Sequence, residues 1–162
     1  MSTAIDTAKV GERRQLHFNN LDDIRADVEQ LAQAGEIRTL GNWSAGQVFK
    51  HLATIMNKCM DGFDNRLPGP MRFVLRLFFK RKFLTQPMKP GFKLGAKAAA
   101  ELVPPPTSLE EGLLCIRQAL DRLQLESKRA PSAFLGPLTR DEWDQLHCRH
   151  SELHLSFLVP VA

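Results

Sequence analysis

At three candidate helix starts a serine or threonine stands three residues ahead of a glutamine or glutamate, at Ser44 and Gln47, Ser108 and Glu111, and Thr139 and Glu142. Each pair stands at the head of a run of helix-spaced apolar residues. In such a capping box the hydroxyl accepts from a backbone N–H inside the helix, and the longer side chain reaches back to the cap's own N–H. Two donors that a helix start leaves orphaned are thereby satisfied. Trp43 with Val48, and Leu138 with Trp143, flank two of these starts as hydrophobic staples. Asn20 caps a further helix in which Leu21, Ile24, Val28 and Leu31 recur at spacings of three and four. No stretch alternates convincingly with period two, so helices are the expected material of the fold.

The spacing predicts helices over about 21–33, with Gly35 as a C-terminal cap, and about 45–61, ending near Gly62. A third should start at Leu109, carry Leu113, Ile116, Leu120 and Leu123 on one stripe, and fade near Lys128 ahead of Pro131. The fourth should run from the Thr139 cap to about Leu158 and stop before Pro160. Roughly ten residues join the first helix to the second and the third to the fourth, which favours antiparallel neighbours. More than forty separate the second from the third. Within that stretch PMRFVLRLFFKRKF reads as a short extra helix, and LTQPMKPGFKLGAKAAAELVPPPTS as proline-punctuated loop. The expected fold is all-α: a four-helix bundle with one long crossover between helices 2 and 3. With 162 residues, of which 43% are hydrophobic, the chain is long enough for one core and short for two. A single domain over 1–162 is expected, with an extended lead-in at 1–18 and a basic, proline-containing crossover at 63–107.

Several classes of protein fit poorly. MSTAIDTAKVGERRQLHF lacks the apolar run of a secretory signal, and no stretch approaches the roughly 18 apolar residues of a membrane span, so a cytoplasmic location is expected. Cys59, Cys115 and Cys148 are odd in number, far apart and without a CxxC pair, against both a disulfide framework and a thiolate zinc cluster. The net charge of +4 is local in origin. Between Asp64 and Glu101 there is no acid, and nine of the 22 Lys and Arg fall there, leaving 13 against 18 acids elsewhere.

HCRHSELH, residues 147–154, holds three of the five histidines. At about 100° per residue Trp143, Leu146, His147, His150, Leu153, His154 and Phe157 share one face of the fourth helix, whereas Asp141, Asp144, Cys148 and Glu152 do not. An imidazole pointing toward a core needs a partner for each ring nitrogen. His150 and His154 are one turn apart, so both can meet a single ion, as the two histidines of an HExxH helix do. His147 lies about 10 Å further along the axis than His154 and suits a supporting role near the site. The third ligand should come from a facing helix, and the second helix offers His51 at the edge of the stripe of Val48, Leu52, Ile55 and Cys59. Three neutral imidazoles would suit zinc, nickel or another first-row divalent ion. The plainer reading is that these are core histidines. His17, in the extended lead-in, reads as a packing or surface residue.

The RRQLHF segment, the LDDIRADVEQLAQAG helix, the TLGNWSAGQVFKHLA stretch and the FLGPLTRDEWDQLHCRHSELHLSFL ending together resemble the DinB/YfiT-like superfamily of bacterial metalloproteins, and within it a branch known as a domain of unknown function. The resemblance implies a four-helix bundle with a divalent metal held by one His of the second helix and two of the fourth. In this chain those positions are His51, His150 and His154. It further implies either a hydrolase or a transferase or isomerase that uses a low-molecular-weight thiol, with a small-molecule substrate. A cation on neutral ligands lowers the pKa of a bound water or thiol, which supplies a nucleophile near neutral pH.

Two function classes stand side by side. In the first, a metalloenzyme, Gln47, Lys58 and His147 are candidate groups around the metal; Gln47, Thr54 and Lys58 share the flank of the second helix that carries His51. In the second, a non-catalytic binding protein, the basic crossover 66–97 meets an anionic partner, a membrane surface or nucleic acid, through Arg72, Arg76, Lys80, Arg81 and Lys82. A solvated basic face is the bland reading of that pattern, and steering of an anionic substrate is a further use. The apolar FVLRLFF segment also offers a homodimer contact.

Overall fold

In the computed structural model, residues 4–91 and 95–161 are described. Lys93, one of the nine cations of the crossover, lies outside them. The chain is mostly helical: α1 (Leu21–Gln33), α2 (Ala45–Asp61), α3 (Gly69–Thr85), α4 (Ala96–Leu102), α5 (Leu109–Leu125) and α6 (Arg140–Leu155), with two short strands, β1 (Glu36–Thr39) and β2 (Leu158–Val161). The four helices expected from spacing are α1, α2, α5 and α6.

Their starts follow the local chemistry. The Asn20 side chain accepts from Asp23 N–H, Ser44 from Gln47 N–H, Ser108 from Glu111 N–H and Thr139 from Glu142 N–H. Reciprocal boxes close at Ser44 and Thr139. Their ends follow it less closely. Gly62, at φ +105°, terminates α2 as expected. Gly35 does not cap α1; Ala34, with extended φ and ψ, does. α5 stops at Leu125, three residues short of Lys128, and α6 at Leu155, because Leu158 is already in a strand.

α2 packs along α5, α1 lies against α5 and α6, and α6 returns to α2. Ile24, Val28 and Leu31 of α1, Phe49, Leu52 and Met56 of α2, Ile116, Leu120 and Leu123 of α5, and Trp143 and Leu155 of α6 meet in one buried cluster. The α2–α5 contact is very close. A Cβ on Gly46 would stand 2.2 Å from the Ser108 carbonyl oxygen, and one on Gly112 2.4 Å from the Gly46 carbonyl oxygen.

Two features correct the all-α expectation and the reading of the crossover. β1 and β2 pair antiparallel with Ile37 opposite Pro160 and Thr39 opposite Leu158. Four residues per strand are too few to show a period, and the pairing spans most of the chain. Pro160, which has no N–H to give, is tolerated because each strand of a two-stranded sheet is an edge. Second, α4 forms where loop was expected, in AKAAAEL, an alanine-rich segment of high helix propensity that stops ahead of Pro104.

α6 is covered on both faces. Cys148, Arg149 and Glu152, off the histidine stripe, are buried as well. The lead-in covers them: the Arg14 guanidinium makes a two-pronged pair with Asp27 of α1 and donates to the Leu155 carbonyl. Phe18 N–H donates to Glu152 Oε1 (2.6 Å), and Arg149 donates to the Phe18 carbonyl while pairing with Glu152 (2.6 Å).

Candidate metal centre

His51 of α2 and His150 and His154 of α6 converge, each offering one ring nitrogen, with the three atoms within 4.8 Å of one another. The capping boxes at Ser44 and Thr139 fix where each helix begins, and the spacing of four sets His150 and His154 on one edge of α6. His51 Nε2 lies 3.3 Å from His150 Nε2. Two nitrogens about 2.05 Å from a tetrahedral ion lie about 3.3 Å apart, so this pair already has the separation that zinc requires. The ring centroids of His51 and His154 are 4.5 Å apart, and those of His150 and His154 4.6 Å.

A backbone carbonyl orients the first of these rings. His51 Nδ1 is 2.8 Å from the Leu102 oxygen. A carbonyl only accepts, so Nδ1 carries the proton and Nε2 presents its lone pair to the other two rings. Leu102 closes α4, so the crossover supplies this contact. Trp43 walls the site, stacked on His154 at 5.6 Å with planes 9° apart and tilted over His51 at 4.9 Å.

Burial pushes the His51 imidazole below its ordinary range, against the opposing effect of the Leu102 carbonyl. Burial, and then the neighbouring imidazoles, push His150 and His154 well below it. All three rings are thus held neutral, the form that ligates. His51 is fully covered, while His150 and His154 keep some surface toward solvent. No carboxylate or thiol joins this cluster among the described residues.

The structure does not gather the accessory candidates around the triad. His147 is buried elsewhere in the core, stacked on Trp143 with Nε2 3.3 Å from Cys59 Sγ. The Gln47 side chain is used by the capping box and by a donation to the Pro104 carbonyl. Lys58 reaches away to Asp64 (2.6 Å) and Glu101 (2.8 Å), and Thr54 donates to the Lys50 carbonyl. Lys58 has a structural task there. Burial opposes ionisation of Glu101, yet hydrogen bonds from Lys58, Asn65 and two backbone N–H groups hold its carboxyl down to about 2. That ion pair ties α4 and the start of the crossover to α2. His17 is exposed on the lead-in.

Two parts of the site leave little trace in side-chain spacing: Trp43 reads as a staple, and the Leu102 carbonyl, 51 residues from His51, leaves no trace in side-chain identity.

A family profile described as a protein of unknown function (DUF1569) matches residues 10–161. The chain belongs to that family. Comparison with curated proteins and with solved structures gave no match.

Proposed function

We propose that the chain is a DinB-like, four-helix-bundle metalloenzyme in which His51, His150 and His154 hold one divalent ion, zinc or nickel, and a small-molecule substrate is attacked by water or a low-molecular-weight thiol. The observation that carries this reading is the convergence of three neutral imidazoles from two helices, one of them set in its ligating tautomer by Leu102. The donor set fits the group: nitrogen ligands suit zinc and nickel, and three protein ligands leave coordination free for a reactant, as in catalytic sites. The bound ion would lower the pKa of that reactant. The chain's own residues do the rest. Leu102 fixes His51, Trp43 shields one side of His154, and the uncovered edges of His150 and His154 leave a way in. The reaction is of the hydrolase or thiol-transferase kind.

If the triad were a core cluster, His150 Nε2 would be protonated and would donate to His51. The two readings separate on metal content. Untagged protein analysed by mass spectrometry should carry close to one zinc or nickel per chain, and His150→Ala prepared alongside should carry almost none. Absence of metal from both, after incubation with either ion, would leave the histidines as core residues.

A further inference from the structure

α3 leaves more apolar surface bare than a helix on a globular protein usually does. Arg72, Arg76, Lys80 and Leu84 recur every four residues and form one row. That row faces the body: Leu84 is buried, the three cations are partly covered, and Lys80 pairs with Glu142 of α6. Around the rest of the helix exposed apolar residues are interspersed with the exposed Arg81 and Lys82. Phe73, Leu77 and Phe78 are 66%, 65% and 69% exposed, and Met71, Val74 and Phe79 are exposed too. So many bare aromatic and aliphatic side chains on one helix form a patch that needs a cover.

The charges around the patch decide what covers it. Arg81, Lys82, Lys89 and Lys97 are all exposed, and no acid occurs between Asp64 and Glu101. A second copy seated on this face through a twofold axis would set these cations against their own images. A nucleic-acid duplex would satisfy the cations and leave the phenylalanines in water, and the clustered rings of FVLRLFF lack the spaced, polar-flanked arrangement on which single-stranded bases stack. The surface of an anionic bilayer takes both, with aromatic rings among the acyl chains and lysine and arginine heads at the phosphates. No helix among the described residues is long and apolar enough to cross a membrane, so the contact is one of lying on the surface.

We infer that α3 is a membrane-docking helix that rests its exposed phenylalanines in an anionic lipid surface, with the acid-free segment around it supplying the attraction. The inference is independent of the metal reading. It is tested by sedimenting the whole chain with vesicles of phosphatidylcholine alone and of phosphatidylcholine with an equal part of phosphatidylglycerol. Binding to the anionic vesicles should be at least about tenfold tighter and should weaken as salt is added. Phe73→Ser with Phe78→Ser should abolish it while leaving the far-ultraviolet circular dichroism and the thermal melt unchanged, since neither ring is in the core. Arg81→Ser with Lys82→Ser should weaken it and flatten the salt dependence. No binding to either vesicle, equal binding to both, or binding kept by the double phenylalanine variant would overturn the inference. So would a concentration-dependent dimer in the absence of lipid that the same variant abolishes, which would assign the face to a second copy.

Discussion

His147 and His150 stand three residues apart on α6, and their neighbours give them different chemistry. Burial holds the His147 imidazole down to about 3 and pushes the Cys59 thiol beside it up to about 12, so the two form a neutral pair inside the core. The consequence is acid sensitivity. Above the ordinary imidazole value of about 6.5 neither the folded nor the unfolded chain protonates this residue. As the pH falls from there toward 3 the unfolded chain binds a proton that the folded one refuses, so stability drops, by about 2 kcal/mol at pH 5 from this residue alone. Denaturant titrations of chelator-treated protein at pH 7 and pH 5 should show that loss, and His147→Asn should lose about 2 kcal/mol less between the two. An unchanged difference in the variant would mean that His147 is already reached by water. The residue scale is also where the sequence was most and least legible. The spacing of four between His150 and His154 is a local fact that predicts a shared face. What separates a ligand from a core residue is the partner of the second ring nitrogen, and for His51 and His147 those partners are a distant carbonyl and a distant thiol.

The helices could be read from their first turns because a cap is local: a hydroxyl and its partner lie three residues apart whatever the rest of the chain does. Elements that depend on distant chain were lost for the converse reason. β1 exists because β2 meets it, and α4 because Lys58 and Asn65 hold Glu101 while its alanines supply propensity. The α2–α5 crossing has its own signal in the sequence, a glycine within the first turns of each of two well-capped helices. Both glycines are there for close approach. Gly46→Ala should therefore destabilise the chain although alanine is the better helix former by about 1 kcal/mol. Its Cβ would meet the Thr107 and Ser108 carbonyls at 2.4 and 2.2 Å, backbone atoms that cannot rotate aside. Forcing the helices apart should cost about 2–3 kcal/mol net, with a lower thermal midpoint. Gly35→Ala, between α1 and β1 with nothing within 4 Å and no positive φ, is the control and should be close to neutral.

For the molecule as a whole, α6 is the shared element: one face carries the histidine triad and the other carries the strap formed by the lead-in. That second face carries the charged residues Arg149 and Glu152. They are buried as a pair whose hydrogen bonds are spent on the Phe18 backbone, so their charge marks a latch. Glu152 Oε2 and Arg149 Nε find no further partner among the described residues, so the pair is only partly satisfied and depends on both members. Arg149→Leu would leave a carboxylate buried without its cation, a change that typically costs about 3–5 kcal/mol, and Glu152→Gln made together with it should recover a large part. Amide exchange at Phe18 and limited proteolysis of residues 10–18 should report release of the strap in the single variant. Arg149 adjoins His150 in sequence, yet its guanidinium points to the opposite face, so the same variant also asks whether the two faces are coupled. Metal retained at the wild-type level while the strap opens would mean that the site is held by the contacts among α2, α4 and α6 alone. Metal lost together with the strap, at a pH and temperature where the helices persist, would mean that the lead-in sets the position of α6 and hence the spacing of the triad.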